Sequence, residues 1–217
     1  MKEKNKTDRR IQRTRQALRN ALLEIIKENK YDSISVEEIT QHANLGRATF
    51  YLHYKDKEDL LVDVFNEIVN ERARTISNIP FAAWLPALEN PDHSAENKPV
   101  LPLLMAFRHI RNHTDLYQIL LKNEKSDRTL ERIRKIIAQS ITEFLQKKLE
   151  NDPIPILFEV PIGLLAAYFS GALLSSVHWW FEQDLSYTPE EMTRMFQRLF
   201  FPGARKILGV PNSETTF

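Results

Sequence analysis

The stretch SVEEITQHANLGRATFYLHYKDKEDLL, residues 35–61, decides the fold. It contains two short segments with helically spaced apolar residues, a tight turn between them, and the beginning of a third helix. Ser35 followed by Glu38 has the pattern of a capping box, in which Ser caps the helix and Glu reaches back to the cap. Asn44 stands where the turn needs a positive φ, which Asn tolerates better than most residues. The stretch therefore predicts a helix-turn-helix.

The second short segment, Arg47 to about Tyr54, is predicted to have one buried and one exposed face. Phe50 and Tyr54 are four residues apart, so we expect both to face inward with Leu45, the apolar anchor of the turn. The side chains left outside or at the edges are Arg47, Ala48, Thr49, Tyr51 and His53. In a DNA major groove an arginine can bind O6 and N7 of guanine, and an alanine or threonine methyl can contact thymine. A purely structural three-helix unit, with Tyr51 and His53 as ordinary surface residues, is the alternative.

Charge is distributed unevenly along the chain, although the whole carries only +1. Residues 1–30 contain ten Lys and Arg against four acids, and the remainder is mildly acidic. Apolar spacing from Arg10 to Lys27 predicts a helix surrounded by arginines. A basic end suits a domain that binds a polyanion, and a solvated basic tail explains the same charges.

The rest of the sequence predicts an all-α fold, since no long strand pattern occurs. Four prolines between residues 79 and 99 indicate a connector. Thr188 is expected to cap the last helix, with Pro189 at its first position. The helices are expected at about 57–77, 100–112, 115–122, 127–150, 157–183 and 189–208.

Composition argues against several classes of enzyme. The chain has no cysteine and only five glycines, and it lacks a GxSxG motif, a P-loop and a dinucleotide fingerprint. His109 and His113 are one turn apart with Asp115 nearby, a pattern that is usually only polar surface. We therefore expect no enzyme activity, no cofactor and no metal. The amino-terminal residues have no apolar segment, and a cytoplasmic location is expected.

The run from Arg15 to about Val69 resembles the DNA-binding domain of the TetR/AcrR family of bacterial transcription regulators. The matching positions are Ser35, Ile39, Ala43, Thr49-Phe50-Tyr51, His53-Tyr54, Lys57 and Leu60-Leu61. Asn44 and Gly46 depart from the family, which often has Gly and Ser there, and Gly46 offers no side-chain cap.

The resemblance implies a three-helix DNA-binding domain at residues 1–56. It implies a C-terminal helical domain at 57–217 that dimerises and binds a small effector. By the same resemblance, the residues that line the DNA would be Ser35, Thr40, Arg47, Ala48, Thr49, Tyr51, His53 and Lys57.

A ridge of small side chains supports dimerisation independently of the resemblance. Gly163, Ala167, Gly171 and Ser175 are spaced by four, which lets another helix approach closely. The last helix offers a complementary apolar stripe, so we predict a homodimer through a four-helix interface. The stripe consists of Met192, Met195, Phe196, Leu199 and Phe200.

The same region has a rival interpretation as a membrane span. Residues 160–181 carry no formal charge and are long enough to cross a bilayer. Pro161 at the start, serines and His178 inside, and the lack of a basic flank favour an interface helix, and we expect no membrane partner.

Large side chains on the later helices are candidates for an effector pocket. Plain core packing is the alternative for each of them. The candidates are Phe65, Trp84, Leu104, Phe107, Tyr117, Leu121, Phe144, Tyr168 and Trp179. The effector itself is expected to be small and apolar or amphipathic.

Together these features predict a homodimeric transcription regulator, expected to be a repressor. It would bind an inverted-repeat operator in double-stranded DNA and leave it when an effector binds. Two alternatives remain open at this point. One is a helical small-molecule-binding or catalytic bundle with a vestigial DNA-binding head, and the other is a membrane-tethered regulator.

Overall fold

The computed structural model describes residues 2–77, 101–122, 127–151 and 160–207. Every regular element in these ranges is a helix, and no strand occurs in them, which confirms the all-α prediction. The predicted connector at residues 79–99 lies outside the described residues.

The first part of the chain forms four helices and one short 3₁₀ turn, Tyr31–Ser33. The helices are α1 Lys2–Ile25, α2 Val36–His42, α3 Arg47–Tyr51 and α4 Lys57–Ser77. Helix α1 thus begins earlier than the apolar spacing indicates. Helix α3 ends earlier than expected, since the N–H of His53 turns to the carbonyl of Phe50, a tighter spacing that closes the helix.

The later part of the described chain forms five further helices. They are α5 Leu101–Asn112, α6 Thr114–Lys122, α7 Asp127–Asn151, α8 Ile162–Glu182 and α9 Pro189–Ile207. The predicted cap of α9 is confirmed, because the Thr188 hydroxyl accepts a hydrogen bond from the N–H of Glu191 at 3.2 Å. Pro189 occupies the first helical position, also as predicted.

The chain divides into two compact units. The first, here the head unit, comprises Met1–Ile68 and Asp115–Thr129. Helix α1 packs on α2 and α2 on α3. The side chains with 2% exposure or less in its core include Leu18, Leu22, Ile39, Phe50, Leu60, Leu61 and Val64. The predicted boundary between residues 56 and 57 stays a prediction.

The second unit, here the body unit, comprises Val69–Thr114 and Leu130–Phe217. Helix α9 packs on both α5 and α8. At the centre the ring of Phe107 meets Trp180 and Phe196 edge-on, with centroids 5.8 and 6.3 Å apart. The indole N–H of Trp180 donates to the carbonyl of Tyr187 at 3.0 Å, which fixes the end of α8 to the turn before α9.

Helix α8 is the one described helix whose length and apolar composition would suffice to cross a membrane. Its mean hydropathy is 1.3, and 22% of its apolar window is buried. Helices buried inside soluble proteins meet the same criterion, so composition alone does not separate an interface helix from a span.

Candidate nucleic-acid interface

The start of α2 is fixed by the predicted capping box, which is confirmed. The Ser35 hydroxyl accepts from the N–H of Glu38 at 3.1 Å, and the N–H of Ser35 donates to the Glu38 carboxylate at 2.7 Å. These hydrogen bonds from Ser35 lower the pKa of Glu38 below its ordinary value. Ser35 is exposed and remains at the surface beside the motif.

The turn between α2 and α3 is set by Asn44. Its φ is 53°, so the predicted positive φ is confirmed. The next N–H, that of Leu45, donates to the carbonyl of Thr40 at 2.8 Å. This bond closes the turn and sets the direction in which α3 leaves it.

Helix α3 has the two faces that the sequence predicts. Phe50 is fully buried and Tyr54 is 3% exposed, whereas Tyr51 is 53% exposed. Arg47 and Ala48 are also exposed, and Thr49 and His53 are half-buried. Gly46 precedes the helix without a side-chain cap, as expected. The structure thus brings these five predicted contact residues together at and just beyond one short helix, the recognition helix.

The guanidinium of Arg47 is only loosely held. One of its nitrogens lies 3.8 Å from a Glu37 carboxylate oxygen, and both side chains are about 60% exposed. An exposed pair of this kind contributes little stability. Arg47 is therefore available to another acceptor.

Thr40 does not belong to the exposed surface that the resemblance implied. It is 2% exposed, and its hydroxyl donates to the carbonyl of Glu37 at 2.9 Å. In this conformation the side chain has neither the access nor a free donor for a phosphate oxygen.

Lys57 also has a different position from the one the resemblance implied. Its ammonium donates to the carbonyls of Tyr31, Asp32 and Ile34 at 2.8, 3.2 and 3.0 Å. It also lies 4.5 Å from the ring centroid of Tyr31. All three N–H donors of an ammonium are used in these bonds. Lys57 therefore ties the start of α4 to the 3₁₀ turn before α2.

A buried ionic cluster, which the sequence pattern did not predict, joins α1 and α4 to Tyr54, three residues beyond the recognition helix. Asp63 is 7% exposed and accepts hydrogen bonds from Arg15, from Arg19 at 2.9 Å and from the Tyr54 hydroxyl at 2.6 Å. Burial alone raises the pKa of Asp63, but these bonds outweigh it and leave the pKa below its ordinary value. An acid between Val62 and Val64, on the apolar side of α4, is the signal that could have revealed it.

Leu52 also lies at this surface, although the sequence pattern did not predict it there. It is 82% exposed, directly after Tyr51 at the end of the recognition helix. A leucine is unremarkable in an apolar pattern, and only the early end of α3 places it outside.

The predicted effector residues that the structure describes are divided between the two units. Phe65 and Tyr117 are in the head unit, where their rings meet edge-on at 5.4 Å. Leu104 and Phe107 belong to the body core, and Leu121 and Phe144 are half-buried. Tyr168 and Trp179 are 64% and 40% exposed, and their role in an effector pocket stays a prediction. Trp84 lies outside the described residues.

The predicted small-residue ridge on α8 is open. A Cβ added at Gly163 or Gly171 would meet no atom within 4 Å, and Ser175 is exposed. Ala167 on the same ridge is half-buried. Leu164 and Tyr168 on the same helix are 60% and 64% exposed.

The complementary stripe on α9 is mostly used inside the protomer, contrary to the prediction. Met192, Phe196 and Phe200 are buried, and Phe169 meets the two phenylalanines at 5.3 and 4.8 Å. Leu199 is 81% exposed and Met195 is half-buried.

The described residues contain no group of three acids or histidines that could hold a metal ion, and this includes the surroundings of His109 and His113. The two imidazole rings lie 4.4 Å apart.

Comparison with protein families decides the identity of the fold. Residues 18–64 match the model of bacterial regulatory proteins of the tetR family, and residues 102–201 match a transcriptional regulator C-terminal region of the same family. The chain belongs to the TetR family. The match at 18–64 contains the capping box, the turn and the recognition helix.

Two curated relatives are similar over a short part of the chain. The uncharacterized HTH-type transcriptional regulator YxbF of Bacillus subtilis is 48% identical over 62 residues, 28% of this chain and 16% of that protein. The fatty acid metabolism regulator protein of Bacillus subtilis is 40% identical over 48 residues, 22% of this chain and 25% of that protein. The matches thus span a quarter or less of the relatives' lengths.

The TetR fold extends over nearly the whole chain. The transcriptional regulator FadR from Bacillus subtilis, solved in complex with stearoyl-CoA, superposes with a TM-score of 0.53 over 87% of this chain and 98% of that one. The sequence identity is 19%, so this likeness concerns the fold alone.

Proposed function

We propose that this TetR-family regulator acts as a homodimeric repressor on an inverted-repeat operator and is released by a small effector. The observation that carries the proposal is the recognition helix. Its Phe50 is fully buried while Arg47, Ala48 and Tyr51 are exposed on the other side. A helix with this arrangement can enter a major groove without losing its own support.

Each contact residue has a distinct role in this proposal. Arg47 reads a guanine, and the methyl group of Ala48 permits close approach to a base edge. Tyr51 and His53 donate to phosphates and fix the position of the helix on the duplex. Thr40 and Lys57 are left out, because their polar groups are already bonded within the motif.

The second copy of the chain is proposed to bind along α8. Leu164 and Tyr168 leave a large apolar surface in water, and Gly163 and Gly171 would let a partner helix approach closely. A two-fold dimer buries the same face of both copies. Two heads would then read two half-sites about one helical turn apart.

The effector is proposed to bind in the body unit and to favour a head spacing that the operator does not match. Such coupling requires the ligand to bind one conformation more tightly than the other. A regulator of the same fold holds stearoyl-CoA, which is consistent with an amphipathic ligand.

The proposed location is the cytoplasm, where the DNA is. A membrane-tethered form would leave α8 in lipid rather than in a dimer. Fractionation tests this choice, because we expect the full chain in the detergent-free soluble fraction. Recovery only in detergent would favour the span.

The DNA-binding proposal is tested by selection from a random-sequence duplex library with the full chain. We expect enrichment of an inverted repeat, with half-sites about one helical turn apart. Enrichment of a single, non-repeated site would contradict the two-headed arrangement, and no enrichment would favour a bundle with a vestigial head.

The interface proposal is tested by Leu164→Glu and Tyr168→Glu. Each introduces a charge into the proposed apolar contact, so we expect the dimer to dissociate at least tenfold more readily in sedimentation equilibrium. Gln183→Glu, which adds the same charge at an exposed position just beyond α8, is the matched control. An unchanged dimer in both leucine and tyrosine variants would place the interface elsewhere.

A further inference from the structure

The body unit contains an arginine whose guanidinium is not matched by an anion. Arg72 on α4 is half-buried, and its Nε is buried without a hydrogen-bond partner. One terminal nitrogen donates to Nδ1 of His109 on α5 at 3.3 Å. In the part of the chain that the structure describes, no carboxylate forms an ion pair with this guanidinium.

Other arginines of the same unit are satisfied differently. Arg108 donates twice to the Glu190 carboxylate, at 3.0 and 2.7 Å. Arg111 donates to the carbonyl of Leu185 at 2.8 Å. Arg72, by contrast, has only a neutral ring nitrogen as acceptor among the residues that the structure describes.

His109 does not neutralise the charge of Arg72. An arginine only donates, so Nδ1 of His109 must accept and the ring proton lies on Nε2. Burial, followed by the charges of His113 and Arg72, lowers the pKa of His109 to about 4. At neutral pH the imidazole is therefore uncharged and holds one edge of the guanidinium in place.

Taking a guanidinium out of water is unfavourable unless an anion pairs with it. A carboxylate matches this planar group, because its two oxygens accept parallel N–H bonds. On the same helix α5, Leu103, Phe107 and Ile110 are buried in the body core. An organic acid with an apolar tail would place its carboxylate on Arg72 and its tail near this core.

We propose that Arg72, oriented by His109, binds the carboxylate of an amphipathic organic acid and that this acid is the effector. The assignment of the acid as effector rests on the proposed function, whereas the anion site stands on the geometry of Arg72 alone. The site lies within the body unit and involves none of the DNA-contact residues.

The first test is the stability of the ligand-free protein. Arg72→Met keeps an unbranched apolar stem and removes the guanidinium charge. We expect its melting temperature to equal or exceed that of the unchanged protein. A melting temperature lowered by several degrees would show that Arg72 is needed by the fold itself, and would overturn the proposal.

The second test is binding of octanoate, followed by calorimetry at constant ionic strength with the full chain. We expect octanoate to bind, 1-octanol to bind more weakly, and Arg72→Met to raise the Kd for octanoate at least tenfold. Arg72→Lys keeps the positive charge but lacks the planar guanidinium that pairs with both carboxylate oxygens. Its Kd for octanoate should lie between those of the unchanged protein and Arg72→Met. Arg198→Met removes an exposed arginine of the same unit and should leave the Kd unchanged.

Three results would overturn the carboxylate site. They are absence of octanoate binding, an equal Kd in Arg72→Met, and binding of inorganic phosphate in place of octanoate. Release of DNA is measured separately, with the selected duplex. Octanoate that binds through Arg72 but leaves duplex affinity unchanged would keep the anion site and contradict its role as the effector site.

Discussion

At the scale of single residues, Asp63 connects α4 to α1 and to Tyr54. Its carboxylate accepts hydrogen bonds from two arginines of α1 and from Tyr54, three residues beyond the end of the recognition helix. The cluster therefore fixes where α3 ends relative to α1 and α4. The carboxylate of Asp63 is charged and largely removed from water, so these hydrogen bonds replace its solvation.

Asp63→Asn should destabilise the head by about 2–4 kcal/mol, because both arginines then lack their shared anion. Urea unfolding at neutral pH measures this change. Glu28→Gln, at an exposed position of the same unit, is the control for loss of a carboxylate. Equal stability of the unchanged protein and Asp63→Asn would mean that the cluster contributes nothing to the fold.

The pH dependence of the same residue has a definite sign. Since the folded-state pKa is lowered, the stabilisation is present above the unfolded value of about 4 and is lost as pH falls through the folded value. Stability of the unchanged protein should therefore fall more steeply below about pH 4 than that of Asp63→Asn. If the stability of both proteins fell equally with pH, the Asp63 carboxylate would make no such contribution.

Replacing Lys57 tests whether this residue stabilises the fold or contacts DNA. Lys57→Met removes three hydrogen bonds to backbone carbonyls, so we expect a loss of about 1–3 kcal/mol of stability. The salt dependence of duplex binding should stay unchanged where the variant is folded. A shallower slope with unchanged stability would restore Lys57 as a phosphate contact.

At the scale of elements, local signals predicted well and distant ones did not. The caps at Ser35 and Thr188 and the positive φ of Asn44 follow from side chains within a few residues, and all three are confirmed. The partners of Asp63 on α1 are 44 and 48 positions away, so no local pattern contains them. The prediction that the apolar stripe of α9 lies in the dimer interface failed for the same reason. The stripe exists, but which neighbour covers it depends on tertiary packing.

The turn between α2 and α3 gives an element-scale prediction. Asn44→Ala should cost about 1–2 kcal/mol, because a Cβ residue is strained at a φ of 53°, whereas Asn44→Gly should be close to neutral. Thermal unfolding of both variants measures the difference. Alanine and glycine variants of equal stability would show that this backbone conformation is not required.

At the scale of the whole molecule, the sequence indicated the family of the chain but not the ligand that we propose as its effector. The head motif has fixed spacing and was recognisable from its residues. The effector candidates were chosen by size alone, and the structure distributes them among a head pair, a body core and an exposed surface. Arg72 was not among them, because an unmatched charge is visible only once its surroundings are known.

The most direct test of the central claim is duplex binding through the recognition helix. Fluorescence anisotropy with the selected duplex, repeated at several salt concentrations, should show a linear fall of log affinity with log salt for the unchanged protein. Arg47→Ala with Tyr51→Ala should weaken binding by about 10- to 100-fold while leaving the melting temperature unchanged. Arg198→Ala, in the body unit, should bind as the unchanged protein does. A double variant that binds the duplex with full affinity would contradict the assignment of α3 as the helix that reads DNA.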